Sequence, residues 1–352
     1  MKLNFDGKIC IPIRPLHQGG GFYFVQLFCE FLSRQGIPWT EDVYDKFDIL
    51  FADAWQVPYQ AVYQVKGTCR YVRVIHRVDG SGRDRGRSDD SDHRQACVNL
   101  LADATVFQSQ YSKFSTRQKF KVIQQDGPII YNAVDITTFR PEGERIALPG
   151  RIRVCSASWS TARLKGTWEI PQLAQQNPDV TFVLGGRYPE VPDLPNVFYL
   201  GHLSYFDLAR IMRSCSVFLN LSQNDPCPNV VIQALASGLP VLYKPSGGVP
   251  ELVSDAGVPL KLDTGSFREA LAEAMDCRDT LAEKARRRAE ECFAPNVVFS
   301  QYLHVMEQTQ RHPLPTKRDF LRAALQGYPV LSYPLWKLPF RYALKTVTRI
   351  VQ

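Results

Sequence analysis

Three stretches of this 352-residue chain carry residue types whose spacing suits phosphate and sugar chemistry. The most informative is Ser222-Gln223-Asn224-Asp225-Pro226-Cys227-Pro228-Asn229-Val230-Val231-Ile232-Gln233. A strand is expected to end near Asn220, a proline-bearing loop follows, and a helix opens near Pro228 or Asn229 and runs to Gly238. The N–H groups at such a helix start, those of Asn229 and Val230, favour anions, and Asp225 sets a carboxylate beside them. Gln233 follows Asp225 by eight residues, so one lies on the loop and the other inside the helix, and both can face one ligand. The second stretch is Ser158-Trp159-Ser160-Thr161-Ala162-Arg163-Leu164-Lys165-Gly166, where two cations after a strand suit a diphosphate. The third is Gly19-Gly20-Gly21, between a strand and a helix, where a backbone can approach a phosphate or sugar closely. It is not the dinucleotide motif, because Tyr23 and Phe24 stand where its last glycine should fall. Taken singly, the glycines could be a tight turn and the cations surface charges.

The elements that must position these residues read as two α/β units in series. In the first, strands are expected at 8–11, 47–51, 70–75 and 104–107, with a helix over 20–34 that carries Phe24, Phe28, Phe31 and Leu32 on one face. In the second they are expected at 151–157, 180–184, 197–200, 217–219 and 240–243. Strands alternating with helices predict parallel sheets. The turn-rich segment 139–150 places a linker, giving domains at 1–148 and 149–311 and a tail at 312–352. Helices follow at 269–276, 280–293 and 297–308, the last with Val298, Tyr302 and Met306 on one stripe.

Composition excludes several classes. With 45% hydrophobic, 22% charged and 11% aromatic residues the chain is globular rather than disordered. No apolar run reaches spanning length and the first residues lack a signal peptide's core, so a cytoplasmic protein is expected. The nine cysteines include no C-x-x-C pair and read as reduced core thiols. Of the formal charge of +7, +6 lies in 313–352, where seven basic residues face Asp319 alone. The nearly neutral body argues against a nucleic-acid partner.

Together these motifs resemble the retaining glycosyltransferases of family 4, which have the GT-B fold. The family's E-x7-E hallmark falls on Asp225 and Gln233, and its continuation on Ala234-Leu235-Ala236-Ser237-Gly238-Leu239-Pro240-Val241. Further family-like pieces are Gly19-Gly20-Gly21, residues 102–109, Tyr131-Asn132-Ala133-Val134-Asp135, Lys165-Gly166 and Gly247-Gly248-Val249-Pro250-Glu251-Leu252. The resemblance runs from about residue 8 to 308. It implies two Rossmann-like domains facing across a cleft, an α/β fold with the donor held mainly by the second and the acceptor by the first. It also implies metal-independent transfer of a sugar from a nucleotide-sugar donor to a glycan or lipid-linked acceptor with retention, in polysaccharide or glycoconjugate synthesis, with no cofactor.

The resemblance further assigns catalytic roles to His76, Asp225 and Lys165. Substrate contacts would come from Gly20, Gly21, Asp79, Arg163, Asn224, Cys227, Pro228, Asn229, Val230 and Gln233. His76 is expected just past the 70–75 strand, beside donor sugar and acceptor; Asp225 on the sugar; Lys165 on the phosphate; Gln233 on the ribose. Three positions depart from the pattern: an aspartate at 225, a glutamine at 233, and Ser160 where the family has an arginine, for which Arg163 would substitute. These leave two alternatives, a nucleotide-sugar epimerase of the same fold and a catalytically silent protein that binds a nucleotide or sugar as part of a larger enzyme.

Asp90-Ser91-Asp92 imitates a metal-binding D-x-D but follows a Ser/Arg-rich loop, and reads as a loop or N-cap cluster. Residues 81–87 read as a solvated mobile loop, with a clamp for an anionic acceptor as the sharper alternative. In the tail, Lys337, Arg341, Lys345 and Arg349 recur every fourth residue beside an apolar stripe of Phe340, Leu344, Val347 and Val351. That pattern suits a helix in an anionic membrane interface, which would make the protein peripheral on the inner face. Packing against the first domain is the competing reading.

Overall fold

A computed structural model describes residues 5–12, 20–69, 71–87, 90–119, 126–260 and 266–314. The described chain forms two compact units, Met1–Ile130 with Phe299–Gln352, and Tyr131–Val298.

In the first unit five parallel strands, β1 (Ile9–Cys10), β2 (Trp39–Thr40), β3 (Ile49–Asp53), β4 (Arg73–Val78) and β5 (Ala104–Phe107), lie in the order β2-β1-β3-β4-β5. Helices α1 (Gly20–Gln35), α2 (Tyr59–Thr68), α3 (Asp90–Asn99) and α4 (Gln110–Lys119) join them. β4 begins and ends three residues later than expected, so His76 and Arg77 lie within it. The charge on Arg77 suggests a strand end, but the register sets it beside Asp53 on β3. The two form a buried ion pair, with the guanidinium 3.9 Å from the Phe24 ring centroid. A buried cation survives only with such a partner, and the partner is remote in sequence.

In the second unit β6 (Ile152–Ser158), β7 (Val180–Gly186), β8 (Val197–Tyr199), β9 (Val217–Asn220), β10 (Val241–Tyr243) and β11 (Gly257–Pro259) are again all parallel, ordered β11-β10-β9-β6-β7-β8. Both sheet faces are covered, as all-parallel sheets require. Cys155, Val183 and Phe218 point into one core with α6 (Tyr205–Ser214), α7 (Asn229–Ala236), α8 (Val249–Val253) and α10 (Arg278–Cys292). Val154, Phe182, Leu184, Val217 and Leu219 point into another with α5 (Ile170–Gln176) and α9 (Ser266–Asp276). The side-chain period of two along each strand produces this division.

α11 (Pro295–Arg311) extends the 297–308 expectation, and from Phe299 onward it belongs to the first unit. Phe299 and Tyr302 pack on Phe24 at 5.4 and 5.5 Å between ring centroids, and Phe299 stacks on Phe28 at 4.9 Å. The division therefore falls at Ile130–Tyr131 rather than at 148–149, and the chain returns at 299 rather than continuing the second unit to 311. Tyr131 to Leu148 packs on the second unit's core through Val134 and Phe139. Turn residues mark where a chain bends, whereas these apolar contacts decide which core it joins. Among the described residues no helix is long and apolar enough to cross a membrane. The basic stripe of 335–352 lies outside the described residues.

Candidate donor site and its relatives

The second unit gathers its polar residues at the C-terminal ends of β6, β9 and β10, where open parallel sheets hold ligands. After β6, Arg163–Lys165 forms a single 3-10 turn closed by Gly166 at φ +70°. A Cβ on Gly166 would stand 2.2 Å from the Leu221 carbonyl oxygen, so only glycine lets this turn rest on the chain leaving β9. The Gln223 N–H donates to Leu164 O at 2.7 Å and locks the two loops together.

That contact brings Lys165 to Asp225, with Nζ donating to Oδ2 at 2.5 Å. The Lys165 side chain keeps 34% of its surface exposed and Asp225 13%, leaving room for a ligand at the pair. The loop after β10 supports Asp225 from the other side. Gly248 N–H donates to Asp225 O at 2.8 Å, and Gly247, at φ +65°, lies against the Asp225 backbone. Asn224 adopts φ +57°, a conformation asparagine tolerates, while its N–H donates to Ser246 Oγ at 3.0 Å.

Pro228 caps α7, whose first internal bond runs from Val231 N–H to Pro228 O at 3.1 Å. The N–H groups of Asn229 and Val230 precede that bond and form the positive end of the helix. Asn132 holds this turn in place. Its Nδ2 donates to Cys227 O at 3.0 Å and to Asn229 Oδ1 at 2.7 Å. Cys227 itself is buried in the core. One turn into α7, Gln233 is 1% exposed and its Oε1 has no hydrogen-bond partner among the described residues. A buried amide oxygen left unpaired costs about 1–3 kcal/mol, so this position favours a hydrogen-bond donor beside it.

Arg163 does not join this group. It is exposed and stacked over Trp168, its guanidinium 4.9 Å from the ring centroid. Lys244, just after β10, is paired with Glu169 at 2.5 Å.

The first unit redraws three expectations. His76 is completely buried inside β4, not beyond its end. Its Nε2–H donates to Ala54 O at 3.2 Å and its Nδ1 accepts from Asn99 Nδ2 at 3.0 Å, which fixes the tautomer. Burial pushes the imidazole down to about 4, so the ring is neutral and has no exposed atom to offer a sugar. Gly20 and Gly21 open α1, while Gly19 lies outside the described residues. A Cβ on Gly21 would stand 2.4 Å from Gln56 Oε1 and 3.0 Å from Asp53 Oδ2, so the bare glycine admits the unit's own polar groups. That carboxylate disfavours a phosphate at this helix start. Finally, residues 81–87 are tied to Asp92, which accepts from Ser81 Oγ at 2.9 Å and Arg83 Nε at 2.9 Å. Asp92 is a buried anchor on α3, and the loop it holds is not a loosely solvated one.

Sequence reasoning gave Ser246 no part, met Asn132 only within a family-like stretch, and read Asp92 only as one of a loop or N-cap cluster, whereas it lies inside α3. Their signal is weak because each acts through a hydrogen bond to a remote backbone or side chain.

The chain, with its two parallel-sheet units, has counterparts among solved proteins. It superposes on Anabaena Alr3699/HepE, solved in complex with UDP-glucose, with a TM-score of 0.68 over 86% of this chain and 100% of that one, at 16% identity. The fold is GT-B. Residues 167–278, which include Asp225, α7 and Gly247, match the family Glycosyl transferases group 1. One of the subunits of human phosphatidylinositol N-acetylglucosaminyltransferase is 30% identical over 142 residues, 36% of this chain and 28% of that protein. Spore coat protein SA of Bacillus subtilis (strain 168) is 23% identical over 258 residues, 61% of this chain and 67% of that protein. The chain thus spans little more than a quarter of the human relative's length.

Proposed function

We propose that this GT-B protein is a retaining glycosyltransferase that takes its donor, a nucleotide sugar of the UDP type, on the second unit. The observation that carries the reading is the Lys165–Asp225 pair beside the N-terminus of α7 and one turn from the unsatisfied oxygen of Gln233. A cation and a helix N-terminus suit a diphosphate, and the amide oxygen suits a ribose hydroxyl. The relative solved with UDP-glucose motivates the choice of uridine.

In the proposed reaction the bond between the anomeric carbon and the phosphate oxygen breaks while an acceptor oxygen bonds to the same face of that carbon. The acceptor's proton passes to the departing phosphate, so no protein base is required. Lys165 and the Asn229 and Val230 N–H groups stabilise the charge that builds on the phosphate, and Asp225 stabilises the positive anomeric centre. These groups would supply the electrostatic stabilisation without a metal. Asn224, Cys227 and Pro228 shape the loop around the donor, and Arg163 lies at its margin. The acceptor, a glycan or lipid-linked sugar, is assigned to the first unit through the ends of its strands, near Gly20, Gly21 and Asp79. The basic stripe in 335–352 supports attachment to an anionic membrane carrying such an acceptor.

Incubation with a panel of nucleotide sugars tests this, read by thermal stabilisation and slow donor hydrolysis, with the anomer of the released sugar followed by NMR. UDP-sugars should stabilise the protein and be hydrolysed with retention. Stabilisation without any turnover would favour the catalytically silent binding protein, and inversion or no response to any nucleotide sugar would overturn the reading.

A further inference from the structure

We propose that Glu169 and Lys244 are positioning residues for donor binding: their ion pair keeps the Lys165 turn seated while the Lys165–Asp225 pair opens to admit the diphosphate. The inference rests on the transferase reading above and deepens it by naming what holds Lys165 in place once a ligand has taken it from Asp225.

Two lysine–carboxylate bridges join the segment after β6 to the segments after β9 and β10. Lys165 reaches from the first of these to Asp225 beyond β9. Lys244, just past β10, reaches back in the opposite sense to Glu169, its Nζ donating to Oε1 at 2.5 Å. Each segment therefore gives one cation and receives one.

Short backbone bonds connect the ends of the two bridges. Lys165 and Glu169 lie on consecutive 3-10 turns, and Glu169 N–H donates to Gly166 O at 3.0 Å. On the other side, Lys244 N–H donates to Asn220 O at 3.0 Å, and Lys244 O accepts from Ser246 N–H at 2.8 Å. Ser246 Oγ in turn accepts from the N–H of Asn224, the residue before Asp225, at 3.0 Å. Lys244 is thus fixed both to the end of β9 and to the loop that supports Asp225.

Exposure separates the two bridges. The Lys165 side chain keeps 34% of its surface, against 21% for Lys244 and 22% for Glu169. The more exposed ammonium is the one a diphosphate can approach. The less exposed pair resists exchange, because parting it leaves a partly buried charge without its counter-ion. Once Lys165 turns to the phosphate, its bridge to Asp225 no longer ties the turn to the chain beyond β9. The Gln223 N–H on Leu164 O still holds the turn at one end, and the Glu169–Lys244 pair holds it at the other. A cation kept where the phosphate arrives loses little freedom on binding, and this is what the second bridge supplies.

Calorimetric titration of the full chain with UDP tests this. Glu169→Gln and Lys244→Gln should each weaken UDP about tenfold, the effect of displacing a binding group from its working position. In a Lys165→Met background, adding Glu169→Gln should change UDP affinity by less than about twofold, because the pair acts through Lys165. Exchanging the charges, Glu169→Lys with Lys244→Glu, should restore binding to within about threefold of wild type. Should a single variant fail to fold, Glu169→Gln with Lys244→Gln leaves no lone charge and carries the same tenfold expectation. The proposal is overturned if the folded variants bind UDP as wild type does, or if the exchanged pair folds yet binds as weakly as the single variants. It is equally overturned if Glu169→Gln weakens UDP as much without Lys165 as with it. Tighter binding by Glu169→Gln with weaker binding by Lys244→Gln would also overturn it, making Lys244 a phosphate ligand in its own right. Each of these outcomes leaves the donor reading standing, whereas absence of UDP binding by wild type would remove that reading itself.

Discussion

Lys165 Nζ and Asp225 Oδ2 lie 2.5 Å apart although sixty residues separate them, because the turn closed by Gly166 rests on the chain leaving β9. In the proposed reaction the diphosphate competes for Lys165, and Asp225 is then released toward the sugar. Asp225→Asn should preserve UDP-induced stabilisation and reduce turnover of the donor by roughly 100-fold or more, as loss of a transition-state contact does. Initial rates with and without a chelator check both claims. Full activity of the variant, or abolition of wild-type activity by the chelator, contradicts the assignment.

Gln233 offers a second measurement. Its buried Oε1, unpaired among the described residues, should find a ribose hydroxyl when UDP binds. Gln233→Glu places a charge at the same buried point, so the free protein should melt lower while the rise in Tm produced by UDP becomes larger. Gln233→Leu should lose most of that rise. Equal UDP responses in all three proteins would show that the residue does not face the nucleotide.

Gly247 makes a steric prediction. A Cβ there would lie 2.4 Å from Asp225 O and 2.7 Å from Asp225 N, at φ +65°. Gly201 has a similar φ of +64° but nothing within 4 Å. Gly201→Ala should therefore cost only the backbone term, about 1–2 kcal/mol. Gly247→Ala should cost more and displace Asp225, lowering donor turnover in proportion beyond any change in Tm. Similar effects of the two substitutions would refute the close approach.

His76 sets a pH dependence of stability. Its folded value of about 4 lies below the ordinary 6.5, so between these values the unfolded chain binds more protons. The contribution of neutral His76 is complete above pH 6.5 and is lost progressively as pH falls toward 4. Between pH 7 and pH 5 this amounts to about 2 kcal/mol, which His76→Gln should abolish. Urea unfolding of both proteins at the two pH values gives the difference. An unchanged dependence in the variant would mean the imidazole is not buried neutral.

The basic tail can be tested by deletion of 335–352. The intact protein should co-sediment with anionic vesicles at low salt and release at high salt, and the truncated protein should not bind. Failure of the intact protein to bind, or unfolding on deletion with vesicle binding unchanged, would identify the segment as structural.

Local sequence sufficed for what depends on neighbours in the chain. Apolar runs bounded by turns marked most of the strands, and Pro228 and Gly238 bracketed α7 closely. The proximity of Asp225, Asn229 and Gln233 to one another follows from a loop and the helix it feeds. β2 and β11, two and three residues long, are too short to show a period and exist only through pairing with a neighbouring strand. The registry of β4 escaped the sequence for a related reason: whether Arg77 can be buried depends on Asp53, which faces it only after the strands align. With Arg77 inside the strand, His76 is carried into the core and Asp79 becomes the first residue beyond it. Pairing and burial are energies of contacts made across the chain. They decided which of these polar residues are exposed, and the chemistry of a site follows from exposure as much as from residue type.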